Sequence, residues 1–158
     1  MTPADWPTVR AIYEAGIATG NATFETAAPT YEAWDASHLA SPRLVATDAE
    51  GEVVGWAALA PISGRAAYAG VAENSVYVRT DRQGFGIGSR LLGDLVATSE
   101  QAGIWTLQTA IFPENAASLA IHERCGFRIV GRRERIGQIH DVWRDTLFLE
   151  RRSATVGC

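Results

Sequence analysis

One stretch decides the fold of this chain: Glu73-Asn-Ser-Val-Tyr-Val-Arg-Thr-Asp-Arg-Gln-Gly-Phe-Gly-Ile-Gly-Ser-Arg-Leu-Leu92. Its first part alternates like a strand, with Glu73 and Tyr77 on one face and Val76 and Val78 on the other. Glycines at every second position then precede an amphipathic helical spacing of leucines. A turn without Cβ atoms lets main-chain N–H groups approach an anion, and a helix N-terminus adds positive charge. We therefore predict a phosphate-binding turn.

Three other kinds of glycine turn share parts of this pattern. A Walker-type loop ends in Gly-Lys-Ser or Gly-Lys-Thr, whereas this chain has Gly88-Ser89-Arg90, so that motif fits poorly. A dinucleotide fingerprint needs a third glycine after two further residues, and it opens a long βαβ array. An ordinary turn between a strand and a helix is the structural alternative.

The composition is that of an ordinary globular domain. Of the 158 residues, 47% are hydrophobic and 20% are charged, which suits one domain with a sizeable core. A net charge of −4 without a long basic run gives no sign of nucleic-acid binding. The two cysteines form no disulfide framework or metal set, and no apolar run is long enough to span a bilayer. We expect a single cytoplasmic domain over 1–158, without metal, nucleic acid or membrane as partners.

Periodicity and turn residues predict helices interspersed among strands. The predicted helices cover 3–19, with Asp5 as a plausible cap, and 31–39, 88–102 and 115–125. The predicted strands are 43–47 and 53–61, which form a hairpin, then 68–79, 104–111, 127–135 and 142–150. This order predicts an α/β domain with a mixed sheet.

Two motifs carry a resemblance to a known superfamily. Gln83-Gly-Phe-Gly-Ile-Gly88 matches the Gln/Arg-x-x-Gly-x-Gly/Ala loop of the GNAT N-acetyltransferases. Further on, Asn115-Ala-Ala-Ser118 opens a stretch that ends in Gly126-Phe127, as in the second hallmark of that superfamily. The whole chain, roughly residues 3 to 152, is similar to the phosphinothricin and methionine sulfoximine N-acetyltransferase group. The segments that carry this narrower resemblance are Asn21–Glu25, Tyr68, Glu73–Val78 and Trp143–Asp145.

The resemblance implies a fold and a co-substrate. The GNAT fold is a mixed, mostly antiparallel sheet, flanked by helices and splayed in the middle so that the pantetheine arm of acetyl-CoA can pair with an exposed strand. Related enzymes are homodimers, so a homodimer is expected here. Family members generally begin with a strand before the segment that starts here at Thr2-Pro3. Either the true start lies upstream or the sheet lacks that edge strand.

The coenzyme contacts implied by the resemblance come from three segments. The strand supplies main-chain N–H groups that polarise the thioester carbonyl like an oxyanion hole. The glycine turn holds the pyrophosphate, with Arg82 or Arg90 adding charge, and the second motif adds contacts from a helix start, where such residues also serve as caps. The expected coenzyme-binding residues are Val76, Tyr77, Val78, Gln83, Gly84, Phe85, Gly86, Ile87, Gly88, Ser89, Asn115 and Ser118.

Two residues are candidates for proton transfer. Acetyl transfer needs a neutral amine, and a free α-amino group has a pKa of about 8, so a carboxylate base helps. Glu73 matches the glutamate proposed as base in phosphinothricin acetyltransferase-like proteins, and a solvated strand-end glutamate is its structural alternative. His122 occupies the place where many GNAT enzymes carry a tyrosine that protonates the leaving thiolate. Its structural alternative is a packed histidine bonded to main chain.

The amino acid acceptor is expected to contact Phe24, Arg65, Tyr68 and Glu73, which are similar to substrate-side elements of the phosphinothricin group. An arginine could hold a carboxylate with two hydrogen bonds. The Ser63-Gly64-Arg65 segment carries fewer arginines than is usual in the family, and Arg144 replaces a histidine of some members. These departures leave the acceptor open.

Three functional hypotheses follow from the sequence. The first is an acetyl-CoA-dependent N-acetyltransferase for a small amino acid or glutamate analogue, working by direct transfer in a ternary complex. The second is a protein N-terminal or polyamine acetyltransferase. The third is a non-catalytic acyl-CoA-binding GNAT module, which predicts loss of the base, whereas Glu73 is retained.

Overall fold

The computed structural model describes all 158 residues as one mixed sheet with helices on both faces. The helices are α1 (Trp6–Ala18), α2 (Tyr31–Ser37), α3 (Ile87–Gln101) and α4 (Ala116–Arg124). The strands are β1 (Arg43–Thr47), β2 (Val53–Pro61), β3 (Val71–Val78), β4 (Thr106–Ile111), β5 (Arg128–Ile139) and β6 (Val142–Arg152). Short 3₁₀ turns cover Pro3–Asp5, Ala66–Tyr68 and Thr80–Arg82.

The sheet has the strand order β1-β2-β3-β4-β6-β5, and every neighbouring pair is antiparallel except β3 and β4. That parallel pair is short, because Val71, Ala72 and Glu73 match Thr106, Leu107 and Gln108 and the pairing then stops. Beyond Glu73 the two strands diverge. The splayed mixed sheet expected from the sequence is therefore present.

Each face of the sheet carries its own apolar cluster. On one face Leu91, Leu92 and Leu95 of α3 pack against Leu59 and Leu107. On the other face α1 and α2 cover β2 through an aromatic group that includes Trp6, Trp34 and Trp56. Helical spacing on α1 and α3 brings their apolar side chains to one side, which fixes both helices against the sheet. The glycine turn is thereby held at the edge of the opening.

Several predicted boundaries differ from the structure, and β5 extends to Ile139 rather than 135. Asp5 has the predicted N-cap position of α1, but its side chain makes no capping bond there. Its carboxylate instead accepts hydrogen bonds from the N and Oγ1 of Thr2, at 2.6 and 3.0 Å. Tyr68 lies in a 3₁₀ turn, and β3 begins at Val71. Between them Gly70 lies against the indole of Trp105, where a Cβ would be 2.1 Å from the ring.

The edges of the sheet are β1 and β5. No strand precedes β1, and the amino group of Met1 donates instead to the carbonyl of Arg43 at 3.1 Å. None of the helices has the length and apolar character needed to cross a bilayer.

Candidate active site

A cavity of about 830 Å³ lies where β3 and β4 part. Its walls come from β3, the glycine turn, the start of α3, the end of β4, α4 and the loop between α1 and α2. Most of the predicted site residues meet here: Phe24, Glu73, Val76, Tyr77, Val78, Gln83, Gly84, Gly86, Ile87, Gly88, Ser89, Asn115, Ser118 and His122. Residues from distant parts of the sequence therefore share one cavity.

The glycine turn leaves its main chain uncovered. Gly84 and Gly86 have φ angles of +83° and +80°, a region that side chains other than glycine rarely adopt. A Cβ at either position would meet no atom within 4 Å, so open space lies beside both residues. Gln83 ties the turn to β3, because its Nε2 donates to the carbonyl of Val78 at 3.4 Å. Together with the N-terminus of α3, this surface fits an anionic diphosphate.

The main-chain amides of β3 alternate between β2 and the opening. Arg79 N donates to Val54 O at 2.9 Å, so it faces β2. By the alternation of an antiparallel ladder, the amide of Tyr77 faces β2 as well, whereas those of Val76 and Val78 face the opening. The opening therefore offers two of the three amides expected from the sequence.

Glu73 lies at the point where the parallel ladder ends. It pairs with Gln108 of β4, and it is the last residue of β3 that does so. Its side chain is exposed to the cavity side of the sheet that also carries Tyr77. The carboxylate of Glu25 also lines this cavity, so two acidic side chains are available to its contents.

Tyr77 contributes a partly buried ring to the same wall. The ring stacks on Trp56, with centroids 4.9 Å apart, and meets the edge of Tyr13 at the same distance. Gly16 of α1 permits this close packing, since a Cβ there would be 2.7 Å from the Tyr77 ring. Burial raises the pKa of the Tyr77 hydroxyl above its ordinary value, which keeps it protonated.

Asn115 and Ser118 are joined to one another. Asn115 is the N-cap of α4, and its Oδ1 accepts from Ser118 N at 3.1 Å. The Nδ2 of Asn115 donates to the carbonyl of Asn21 at 3.1 Å. Both ends of this amide are thus engaged within the protein, as expected for the capping alternative.

His122 is buried beneath the opening, with 3% of its surface exposed. Its Nδ1 is 2.8 Å from the carbonyl of Ser118, which can only accept, so Nδ1 carries the proton. Its Nε2 is 2.9 Å from the side-chain amide of Asn74 and accepts from it. These bonds describe a packed, neutral imidazole, and the predicted role as proton donor to a thiolate stays a prediction.

Three of the predicted site residues lie outside the cavity walls. Phe85 projects from the glycine turn with 77% of its surface exposed. Arg65 and Tyr68 belong to the exposed segment between β2 and β3. Phe24, by contrast, lines the cavity and packs edge-on against Phe112, with ring centroids 4.8 Å apart.

The sequence matches the model of the acetyltransferase (GNAT) family over residues 9–127. The chain belongs to this GNAT family. It is 37% identical over 152 residues to the L-methionine sulfoximine/L-methionine sulfone acetyltransferase of Pseudomonas paraeruginosa, with 93% of this chain and 88% of that protein covered. Both the predicted superfamily and the predicted group are thereby confirmed.

Two solved GNAT structures resemble this fold closely. A phosphinothricin acetyltransferase from Sinorhizobium meliloti in complex with AcCoA superposes with a TM-score of 0.89 at 28% identity, covering 99% of this chain and 88% of that one. A ribosomal-protein-alanine N-acetyltransferase from Brucella melitensis gives 0.86 at 31% identity, covering 97% of both chains. This GNAT protein is accordingly an acetyl-CoA-dependent N-acetyltransferase.

Two sets of polar contacts in this GNAT domain were not predicted from the sequence. Asn74 has 4% of its surface exposed, holds His122, and has a side-chain Oδ1 without a hydrogen-bond partner. Arg144 of β6 donates to the carbonyl of Gly20 and to Asn21, far away in the sequence. Neither contact has a local sequence signal, because each joins elements that meet only in the folded sheet. No cluster of His, Cys, Asp or Glu side chains in the structure could hold a metal ion.

The neutral state of His122 predicts a pH dependence of stability. Burial lowers its pKa below the ordinary 6.5, so the unfolded chain binds a proton there more readily than the folded one. The stability contributed by neutral His122 is therefore complete above pH 6.5 and is lost as the pH falls below that value. In urea unfolding at several pH values, His122→Gln should lose less stability on acidification than the unmodified protein.

His38 serves as the control for that measurement. Burial lowers its pKa as well, so it contributes a pH dependence of the same sign. The variant His38→Gln keeps the contribution of His122 to the pH dependence of stability and removes that of His38. Identical pH dependence in His122→Gln and the unmodified protein would show that the imidazole is not held neutral by the fold.

Proposed function

We propose that this protein transfers the acetyl group of acetyl-CoA to the amino group of a small amino acid or glutamate analogue of the methionine sulfoximine or phosphinothricin type. The relatives with these names support the acceptor class. The observation that carries the proposal is the position of Glu73, at the end of the β3–β4 ladder and on the wall of the cavity. A carboxylate there shares the strand and the cavity wall with Val76 and Val78, whose main-chain amides face the opening.

The proposed reaction is a direct transfer between two bound substrates. Glu73, acting directly or through one water, accepts a proton from the amine, whose pKa is about 8 when free. The amine then attacks the thioester carbonyl carbon, so that a C–N bond forms and the C–S bond breaks. The amides of Val76 and Val78 stabilise the negative charge on the carbonyl oxygen. As the amide forms, its nitrogen releases one proton and the departing thiolate takes one up, so that the step balances. His122, the predicted donor, is neutral in this structure and can serve only after Nε2 has taken up a proton.

The coenzyme is expected to bind along the glycine side of the cavity. Gly84, Gly86 and Gly88 present main-chain amides to the diphosphate, and Gln83, Ile87 and Ser89 flank them. Asn115 and Ser118 complete this side through the start of α4. The acceptor side is formed by Phe24 and Glu73, while Arg65 and Tyr68 lie outside the walls.

An acceptor screen tests the function. Thiol release from acetyl-CoA is measured with methionine sulfoximine, methionine sulfone, phosphinothricin, the common amino acids, spermidine and a peptide with N-terminal alanine. We expect the first three to give the highest kcat/KM. If none of these acceptors produces thiol release while acetyl-CoA still binds, the result would favour the non-catalytic module.

A second acceptor class has specific support. The ribosomal-protein-alanine N-acetyltransferase from Brucella melitensis resembles this chain at 31% identity over nearly its whole length. A peptide acceptor with N-terminal alanine would therefore be the next candidate. Preference for that peptide over the free amino acid analogues would replace the first proposal by this one.

A homodimer is proposed on the basis of the exposed β5–β6 hairpin. Its strands carry apolar side chains with large exposed areas, which are Ile129, Val130 and Ile136 on β5, and Val142 and Trp143, the latter 57% exposed, on β6. Large exposed apolar areas are typical of protein interfaces. Light scattering should give twice the chain mass of 17.0 kDa, and the mass of a single chain would contradict the proposal. The cytoplasmic location stays a prediction.

A further inference from the structure

The loop that closes the acceptor end of the cavity has little structure of its own. It lies between the end of α1 at Ala18 and the start of α2 at Tyr31, and its residues 21–25 line the cavity. We call residues 20–25 the acceptor loop. Its local side-chain hydrogen bonds are short-range, from Asn21 N to Thr19 and from Glu25 N to Thr23. Such bonds shape the loop without fixing it to the sheet.

One side chain from β6 fixes this loop to the rest of the domain. The Nη1 of Arg144 donates to the carbonyl of Gly20 at 3.0 Å, and its Nη2 donates to the Oδ1 of Asn21 at 3.2 Å. The same Nη2 is 3.0 Å from the Oε2 of Glu114, in the connection between β4 and α4. The guanidinium group of β6 thus joins two other segments of the chain, the acceptor loop and the β4–α4 connection.

The same guanidinium also reaches the loop through an aromatic pair. It lies 4.1 Å from the centroid of the Phe112 ring, and Phe112 packs edge-on against Phe24. Gly137 of β5 leaves room for Phe24, because a Cβ there would be 2.8 Å from that ring. Arg144 does not line the cavity itself. Its effect on a bound acceptor must therefore pass through the loop and the two phenylalanines.

Arginine is suited to this position in a way that lysine is not. Its planar group presents several N–H donors in fixed directions and stacks on aromatic rings. Here the guanidinium donates hydrogen bonds to two oxygen atoms of the loop and to one carboxylate, and it also stacks on Phe112. The carboxylate of Glu114 is largely exposed, so the ion pair alone contributes little, and the contacts to the loop matter more.

We propose that Arg144 is a positioning residue that holds the acceptor loop in place and thereby sets acceptor binding without touching the acceptor. Asn115 supplies a second tether, through its bond to the carbonyl of Asn21. This inference rests on the proposed function, since it concerns the acceptor half of the same cavity. The acceptor loop would then be held in position by Arg144 of β6 before the acceptor binds.

Steady-state kinetics with the best acceptor of the screen test the proposal. Arg144→Ala should lower kcat/KM for the acceptor on the order of 10- to 100-fold, mainly through KM, because the acceptor is misplaced. The KM for acetyl-CoA should stay within about twofold, since the glycine turn has no contact with Arg144. The kcat/KM of Arg144→Lys should lie between those of the unmodified protein and Arg144→Ala, because one ammonium group cannot donate to all of these hydrogen-bond acceptors.

The matched control is Arg133→Ala. Arg133 is also on the β5–β6 hairpin and also stacks on a phenylalanine, with its guanidinium 4.1 Å from the Phe148 ring, but it has no hydrogen bond to the loop. It should leave the acceptor KM nearly unchanged. Equal changes in both KM values for Arg144→Ala, or the same acceptor defect in Arg133→Ala, would overturn the proposal.

Amide hydrogen exchange tests the same contact without any turnover. In Arg144→Ala, exchange should accelerate at residues 20–25 and stay unchanged in α3, whereas Arg133→Ala should change neither. Unchanged exchange in the acceptor loop of a folded Arg144→Ala variant would contradict the proposal. If no amino acid acceptor is acetylated, the proposed function fails, and this measurement still decides whether Arg144 holds the loop.

Discussion

Replacement of Glu73 by alanine is expected to lower turnover by about 10²- to 10³-fold at neutral pH, as the loss of a general base does. The physical reason is that most of a free α-amino group is protonated there, since its pKa is about 8. Glu73 is placed for this task by the end of the β3–β4 ladder, and the substitution leaves the glycine turn untouched. Binding of acetyl-CoA, measured by calorimetry, should be nearly intact.

The pH dependence separates a lost base from a damaged fold. Raising the pH deprotonates the amine without help, so the defect of Glu73→Ala should shrink at high pH. Glu25→Gln is the matched control, because Glu25 is the other carboxylate on the cavity wall. A defect of Glu73→Ala that does not change with pH would argue against the proposed base. The same reversible loss in Glu25→Gln would assign the role to Glu25.

Replacement of Gly86 by valine is expected to abolish the binding of acetyl-CoA. The φ of +80° at Gly86 exposes its main chain, and a branched Cβ would fill the open space where the diphosphate is expected. The unliganded fold should survive, because a Cβ at this position meets no atom within 4 Å and the left-handed conformation costs about 1–3 kcal/mol. Calorimetry with acetyl-CoA and a thermal melt measure the two effects separately.

Gly51→Val is the matched control for backbone strain. Gly51 lies in the β1–β2 turn, has a φ of +85° and also has open space where a Cβ would be. This variant should lose similar stability and bind acetyl-CoA normally. Unchanged affinity in a folded Gly86→Val variant would show that the glycine turn does not hold the diphosphate.

The elements of the fold that could be predicted are those with local signals. The change from alternating to helical spacing near Gly86 located the turn and α3 correctly, because both periods depend on neighbouring residues. Boundaries failed where tertiary packing decides. Tyr68 lies outside β3, which begins after Gly70. Gly70 packs against Trp105, a residue that directly precedes β4 and is distant in the sequence.

The same division holds at the active site. The motifs predicted that Glu73, the glycine turn and Asn115 share one site, and all of them line one cavity. This was predictable because each motif belongs to an element whose position in the sheet follows from the fold. The partners of these residues were not predictable. The bond from Asn74 to His122 and the bonds from Arg144 to the acceptor loop join residues that only the folded sheet brings together.

The ladder of three residue pairs between β3 and β4 joins the two halves of the sheet over a short length. Only these pairs link β1–β3 with β4–β6 through strand hydrogen bonds, and the rest of the boundary is open. A substrate bound in the opening between β3 and β4 would contact both halves of the sheet at once. Because ligands that bind only the native state stabilise it by mass action, the supply of substrate would govern how firmly the two halves hold together.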